Sequence, residues 1–147
     1  MGRRRKKSIK ARKTFAFVVD GETEVWYLQM LKRNEKKLTI DIEPKLPSKK
    51  SLPEQYNMVE DLARDYTKVF WLVDYDVIRK ETRDAKPGIE TSEQQFIRLR
   101  KKAQALGNVI VIVNDPCLEF WFLLHFIETA RFYSQCGPVE RDLAKRM

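Results

Sequence analysis

Three short, unbroken apolar runs punctuate the chain, at residues 15–19, 69–73 and 109–113, and the stretches between them carry apolar residues at helical spacing. The run Phe15, Ala16, Phe17, Val18, Val19 predicts a strand buried on both faces, as in a parallel sheet. The runs beginning at Val69 and Val109 predict two more strands. Residues 38–43 alternate apolar and polar with period two and stop at Pro44, which predicts a half-exposed strand at or near a sheet edge. Trp26, Tyr27, Met30 and Leu31 predict an amphipathic helix over 24–33 with Thr23 able to cap it. Further helices are expected over 54–66 and from residue 89 or 92 to 106, closed by Gly107. Residues 79–88 are charged, end in Pro-Gly and read as a mobile connection. Asp115 as cap and Pro116 at the first helical position predict a last helix through the apolar stretch 120–126, buried on all sides.

Strands alternating with helices predict an α/β domain with a mainly parallel central sheet of about four strands flanked by helices. At 147 residues one domain is expected, over 14–147. Hydrophobic residues make up 43% and charged residues 34%, a globular balance, and no apolar stretch approaches the roughly 20 residues of a membrane helix. The basic N-terminus has no apolar segment behind it of the kind a secretory signal carries. Cys117 and Cys136 show no repeated spacing that suggests a disulfide framework or a zinc knuckle, and Cys117 is expected to be buried and inert. A soluble protein of a reducing cytoplasm is the expectation.

The net charge of +8 is unevenly distributed. Residues 1–13 hold eight bases and no acid, while the other 21 basic residues balance the 21 acidic ones. A flexible basic arm over 1–13, including Arg3, Arg4, Arg5, Lys6 and Lys7, suits salt-sensitive contact with nucleic-acid phosphate. A solubilising tail accounts for it equally well. Lys45, Lys49 and Lys50, in a polar loop, are further candidates for phosphate contact.

Two of the apolar runs stop abruptly at carboxylates. The first runs into Asp20, Gly21, Glu22, Thr23 and Glu24, and the second into Asp74, Tyr75 and Asp76. If these strands are parallel neighbours, their ends open on one crevice, where open α/β sheets bind ligands. At an effective dielectric near 20, two unit charges 4 Å apart repel by roughly 4 kcal/mol, so several bare carboxylates there require protons or a divalent metal. Magnesium, a hard ion with oxygen ligands, is the natural occupant, with manganese as its substitute. Strand alternation places residues two apart on the same side, so Asp74 and Asp76 are the leading metal ligands, with Asp20 as third ligand or as a base toward water. Turn formation alone also explains Asp74 and Asp76, and a helix start explains Glu22 and Glu24 well enough to rank them second. Glu119, in the first turn after the third strand, is a candidate catalytic residue or ligand, although the helix dipole alone accounts for an acid there. Asn114 and His125 are secondary candidates; a satisfied backbone group and a packed core histidine are the plainer explanations.

The set 18–24 (Val-Val-Asp-Gly-Glu-Thr-Glu), 71–76 (Trp-Leu-Val-Asp-Tyr-Asp) and 114–126 (Asn-Asp-Pro-Cys-Leu-Glu-Phe-Trp-Phe-Leu-Leu-His-Phe) resembles the RloB family, encoded in bacterial restriction and phage-defence loci. That family is similar to Toprim domains, in which an acid plus Gly after the first strand and an Asp-x-Asp after a later one bind Mg²⁺ and support phosphoryl transfer. The resemblance carries these roles to Asp20, Asp74 and Asp76. It implies a nuclease or related enzyme acting on DNA or RNA in anti-phage defence, with an AAA- or ABC-type ATPase encoded nearby as a partner, and it leaves an oligomer open. The family's usual first acid is Glu, whereas this chain has Asp20, one methylene shorter, so Glu22 or Glu24 could take over part of its role. The family also generally continues in helical sequence beyond the apolar helix, which suggests a fragment or a short member. The alternatives are a non-catalytic Toprim-like module that binds nucleic acid or nucleotide beside the ATPase, and a basic-arm binder whose acids are only helix caps.

Overall fold

The computed structural model describes residues 13–35 and 50–147. The basic residues Arg3, Arg4, Arg5, Lys6, Lys7, Lys45 and Lys49, and the strand expected over 38–43, lie outside them. Among the described residues there are three strands, β1 (Phe15–Val18), β2 (Lys68–Asp74) and β3 (Val109–Asn114). They form one sheet in the order β1-β2-β3, parallel throughout, with Val18 opposite Trp71 and Asp74 opposite Asn114. The architecture is α/β, a parallel sheet flanked by helices. Parallel register brings all three strand C-termini to one edge, so the acids after β1 and β2 open on a common face of the molecule.

The helices are α1 (Glu22–Asn34), α2 (Leu52–Asp65), α3 (Tyr75–Arg83), α4 (Ser92–Ala105), α5 (Leu118–Leu123) and α6 (Cys136–Ala144). Helices α2 and α4 each start on a reciprocal capping box, Ser51 with Glu54 and Thr91 with Gln94. On one face of the sheet, Ala16, Val18, Val69, Trp71, Val73 and Val109 pack against apolar side chains of α2, α3 and α4. Trp71 is fully buried there, and its indole N–H donates to Gln55 Oε1 over 3.0 Å, so the large ring is buried without an unpaired donor. On the other face Phe15, Phe17, Phe70 and Leu72 pack with Val25, Tyr27 and Leu28 of α1. A third cluster joins Cys117, Leu123, Tyr133, Val139 and Leu143 around α5 and α6, and Tyr27 meets Phe122 with ring centres 5.6 Å apart.

Several expectations change. Of the connection expected over 79–88, residues 79–83 belong instead to α3 and only 84–88 lie outside it; Ile78 is the helix's one buried apolar anchor, too thin a stripe to read from the sequence. Arg79 on this helix grips Asp115 with two hydrogen bonds, of 2.6 and 2.7 Å, and lies over the Tyr75 ring. Asp115 is therefore committed to an ion pair and does not cap a helix. The Asp115–Pro116 peptide is cis, and α5 begins beyond it with Cys117 at the cap position. The apolar helix is also shorter and less buried than expected: only Leu118 and Leu123 are buried, Phe120 and Phe122 are half-buried, and Trp121 and Phe126 are 51% and 54% exposed. Helix α6, beyond the last element read from the sequence, covers its inner side. Thr23 lies inside α1, whose cap position is Gly21. Finally, Cys117 is buried but not free: it is disulfide-bonded to Cys136.

Candidate functional site

Strand β1 delivers Asp20 and Gly21 to the C-terminal sheet edge, and α1 starts at once with Glu22. Glu24, in the first helical turn, points back over the strand end. It is a buried acid, only 6% exposed. Its carboxylate lies directly over Gly21, where an added Cβ would collide with Oε2 and come 3.1 Å from Cδ. Gly21 has an ordinary extended backbone (φ −114°), so glycine is required here for close approach and not for an unusual turn.

From β2, Asp74 reaches the same place. Glu24 and Asp74 are joined by a side-chain hydrogen bond, which requires one of the two carboxyls to hold a proton. Burial, then the charge of Glu24 and its hydrogen bond, push Asp74 from its ordinary 3.8 up to about 8. Burial likewise raises Glu24, helped by the charges of Glu119 and Asp20 and opposed by its own backbone N–H and by Asp74. Asn114, opposite Asp74 in register, donates from Nδ2 to Asp74 Oδ1 over 3.3 Å and favours its charged form. Asp20 Oδ1 accepts the backbone N–H of Lys50 at 3.3 Å. A small cleft beside these groups is lined by Asp20, Lys50, Gln55, Asp74, Glu81 and Gln95.

The structure thus brings Asp20, Glu24, Asp74, Asn114 and Glu119 together. Asp76 goes elsewhere. Because β2 ends at Asp74 and α3 begins at Tyr75, strand alternation does not extend to Asp76. Its Oδ2 accepts the backbone N–H of Cys136 at 3.2 Å, and it lines a separate cleft with Arg79, Thr82 and Ser134. Glu22 is exposed on the outer side of α1 beside Thr23 and Trp26. His125, expected in the core, is exposed; its Nδ1 is 2.8 Å from the Trp121 carbonyl and its ring stands edge-on to Trp121.

Glu24 is the acid whose place beside Asp74 the local pattern does not show. Its position in a helical first turn has a sufficient explanation in the dipole, and only the missing Cβ at Gly21 signals that a side chain folds back over the turn. Gln55 gave no signal at all. It is buried, accepts from Trp71, and donates from Nε2 to the Lys50 carbonyl at 2.9 Å, which ties the core to the loop that holds Asp20.

Glu119 also borders a second group of donors. Its Oε2 lies 3.4 Å from Cys136 Sγ, and donor atoms of Cys117, Glu119 and Cys136 all fall within 4.8 Å of one another. Among the described residues, no helix is long and apolar enough to cross a membrane.

No curated protein and no solved structure matches the chain at a significant level. A family model does: the one described as RloB-like protein matches residues 15–147, a span that includes all three strands, the acidic sheet edge and both cysteines. On that match, which takes in every residue of the site just described, this chain belongs to the RloB-like family.

Proposed function

We propose that this protein is a Toprim-like nuclease or related phosphoryl-transfer enzyme, dependent on Mg²⁺ or Mn²⁺ and acting on nucleic acid in bacterial anti-phage defence. The proposal rests on the pairing of Glu24 with Asp74 at the strand ends, with Glu119 and Asp20 near enough to push Glu24 up by charge. Among the described residues, no Lys or Arg side chain forms an ion pair with any of these four acids. One buried and three half-buried carboxylates left without a cation fit a hard divalent ion, whose binding would displace the shared proton.

Asp74 and Glu24 would hold the ion, with Asp20 and Glu119 at its flanks. Bound there, it would stabilise charge on a phosphate and on an attacking oxygen. The chain supplies the rest. Asn114 orients Asp74 through its amide, and the Lys50 backbone orients Asp20. Asp20 would take a proton from water, and the Lys50 side chain and the basic arm would neutralise the nucleic-acid backbone. A reducing cytoplasm is the proposed compartment, with an ATPase encoded nearby as the proposed partner.

The test is cleavage of DNA, RNA and tRNA by purified protein in Mg²⁺ and in Mn²⁺. Cleavage should disappear in Asp74→Asn and Glu24→Gln. A folded protein inert on all three substrates with both ions overturns the proposal, as does undiminished activity in an Asp74→Ala, Asp76→Ala variant. One observation favours a non-catalytic binding module instead: Asp20 is short for its role and already accepts the Lys50 amide. Calorimetric Mg²⁺ binding that is lost in Asp74→Asn, without cleavage of any substrate, would support that second reading.

A further inference from the structure

We propose that Cys117 and Cys136, when reduced, form a binding site for a borderline-soft divalent ion, Zn²⁺, completed by Glu119 and Glu140. This site adjoins the Glu24–Asp74 pair, with Glu119 bordering both, but its two thiolates belong to it alone and it does not rest on the nuclease proposal.

Three donors converge from two elements, those of Cys117, Glu119 and Cys136, and Glu140 stands beside Cys136 within side-chain reach. Cys117 and Glu119 flank the start of α5, while Cys136 and Glu140 lie one turn apart on the same face of α6. Glu119 Oε2 is 3.4 Å and Glu140 Oε1 3.7 Å from Cys136 Sγ. The two cysteines have Cα atoms 5.7 Å apart. A tetrahedral zinc ion with bonds of about 2.3 Å to sulfur needs the two sulfurs roughly 3.8 Å apart, which side-chain rotation supplies from that backbone spacing. Two thiolates and two carboxylates match the ion's ligand preferences, and Zn²⁺ commonly takes four such donors. Among the described residues, neither Glu119 nor Glu140 is engaged by a side-chain cation.

The disulfide and the metal site are two states of one cysteine pair. A dithiol reductant passes two electrons to the S–S bond and two protons to the sulfurs, and itself closes to a disulfide. Binding of Zn²⁺ then releases the two thiol protons and forms two Zn–S bonds. In a reducing compartment the disulfide is the less persistent state. The ion would clamp α5 to α6 as the disulfide does. Because the Cys136 amide also holds Asp76, the clamp extends to α3.

The experiment compares oxidised and dithiol-reduced full-length protein, the latter handled anaerobically after removal of the reductant. Each is titrated with Zn²⁺ against a chromophoric chelator and with Co²⁺ under an absorption spectrometer. The reduced chain should take up one thiolate-bound ion and give a near-ultraviolet thiolate-to-cobalt charge-transfer band, absent from the oxidised chain. The chain has only two cysteines, so any such band must come from this pair. Glu119→Gln and Glu140→Gln should each weaken Zn²⁺ binding roughly tenfold or more. Asp74→Asn should leave the band intact, which separates this site from the acidic sheet edge. A reduced wild-type chain without the band overturns the proposal, and so does unchanged Zn²⁺ affinity in both glutamine variants. The wild-type comparison decides the matter even if a variant fails to fold.

Discussion

Glu24, on the helix that follows the first strand, shares a hydrogen bond with Asp74 at the end of the second, and the pair can do so only while it retains a proton. The chain therefore keeps two acids at a sheet edge in a state that water would not favour. A divalent cation is one way out of that state, and protonation is the other.

That competition gives a pH dependence of definite sign. Asp74 is raised from 3.8 to about 8 in the folded protein, so between these values the folded chain binds more protons than the unfolded one. The stability contributed by the protonated group is fully present below pH 3.8, falls as pH rises, and is gone beyond about pH 8. Thermal unfolding in a chelator should show the midpoint declining over that window relative to Asp74→Asn, whose side chain cannot titrate. At pH 8 the asparagine variant should melt higher than the wild type by several degrees, since 1 kcal/mol moves the midpoint of a chain this size by roughly 4 °C. Saturating Mg²⁺ should flatten the wild-type decline and leave the variant unmoved. A wild-type decline no steeper than the variant's would remove the shared proton from the account.

Gly21 offers a test of geometry that leaves every acid in place. An added Cβ would strike the Glu24 carboxylate, which is a movable side-chain end, so the backbone has no need to shift. Gly21→Ala should keep its stability within about 1 kcal/mol, because the extended backbone there suits alanine. Mg²⁺ affinity measured by calorimetry should nevertheless fall about tenfold, the scale of disturbing the support of a metal ligand. Equal Mg²⁺ affinity in Gly21→Ala and wild type would show that Glu24 does not bind the ion from its present position.

The three strands were legible because strands of a parallel sheet, covered on both faces, read as unbroken apolar runs, and the runs at Phe15, Val69 and Val109 do so. The common edge of Asp20 and Asp74 followed from that pattern. What failed was local geometry at the ends of those runs. An Asp-x-Asp pattern means a shared face only while the strand lasts, and a helix starts immediately after Asp74, which sends Asp76 toward Cys136. Glu24 looked like helix-dipole chemistry because its partner is 50 residues away. The disulfide between Cys117 and Cys136 depends on α6, an element with few buried residues and no pattern linking it to α5. Long-range pairings of this kind are set by tertiary packing, which no local periodicity encodes.

Gln55 makes a prediction about the link between core and site. It accepts the Trp71 indole N–H and donates to the Lys50 carbonyl, and both it and Trp71 are buried. Gln55→Ala strands the indole donor, which should cost about 1–3 kcal/mol in urea denaturation. It also releases the Lys50 segment whose amide holds Asp20. Trp71→Phe removes the stranded donor, so the double variant should lose less stability than the sum of the two single changes. Strict additivity would mean that the hydrogen bond contributes nothing measurable.

Salt dependence separates the parts of the chain that contact nucleic acid. Each phosphate neutralised adds about 0.9 to the slope of log affinity against log salt on duplex DNA, or about 0.7 on a single strand. Lys50 borders the acidic cleft, so Lys50→Ala should lower that slope by close to one contact and should lower cleavage with it. Removal of residues 1–13 takes away eight bases and should lower the slope much further. The two variants part company at high salt. If binding is carried by the arm alone, the truncated chain should lose all measurable binding while Lys50→Ala behaves as wild type. If the sheet-edge site engages the backbone directly, the truncated chain should still bind weakly in Mg²⁺, and that remaining binding should vanish when Asp74→Asn is added. Fluorescence anisotropy across a salt series, with and without Mg²⁺, distinguishes the two outcomes.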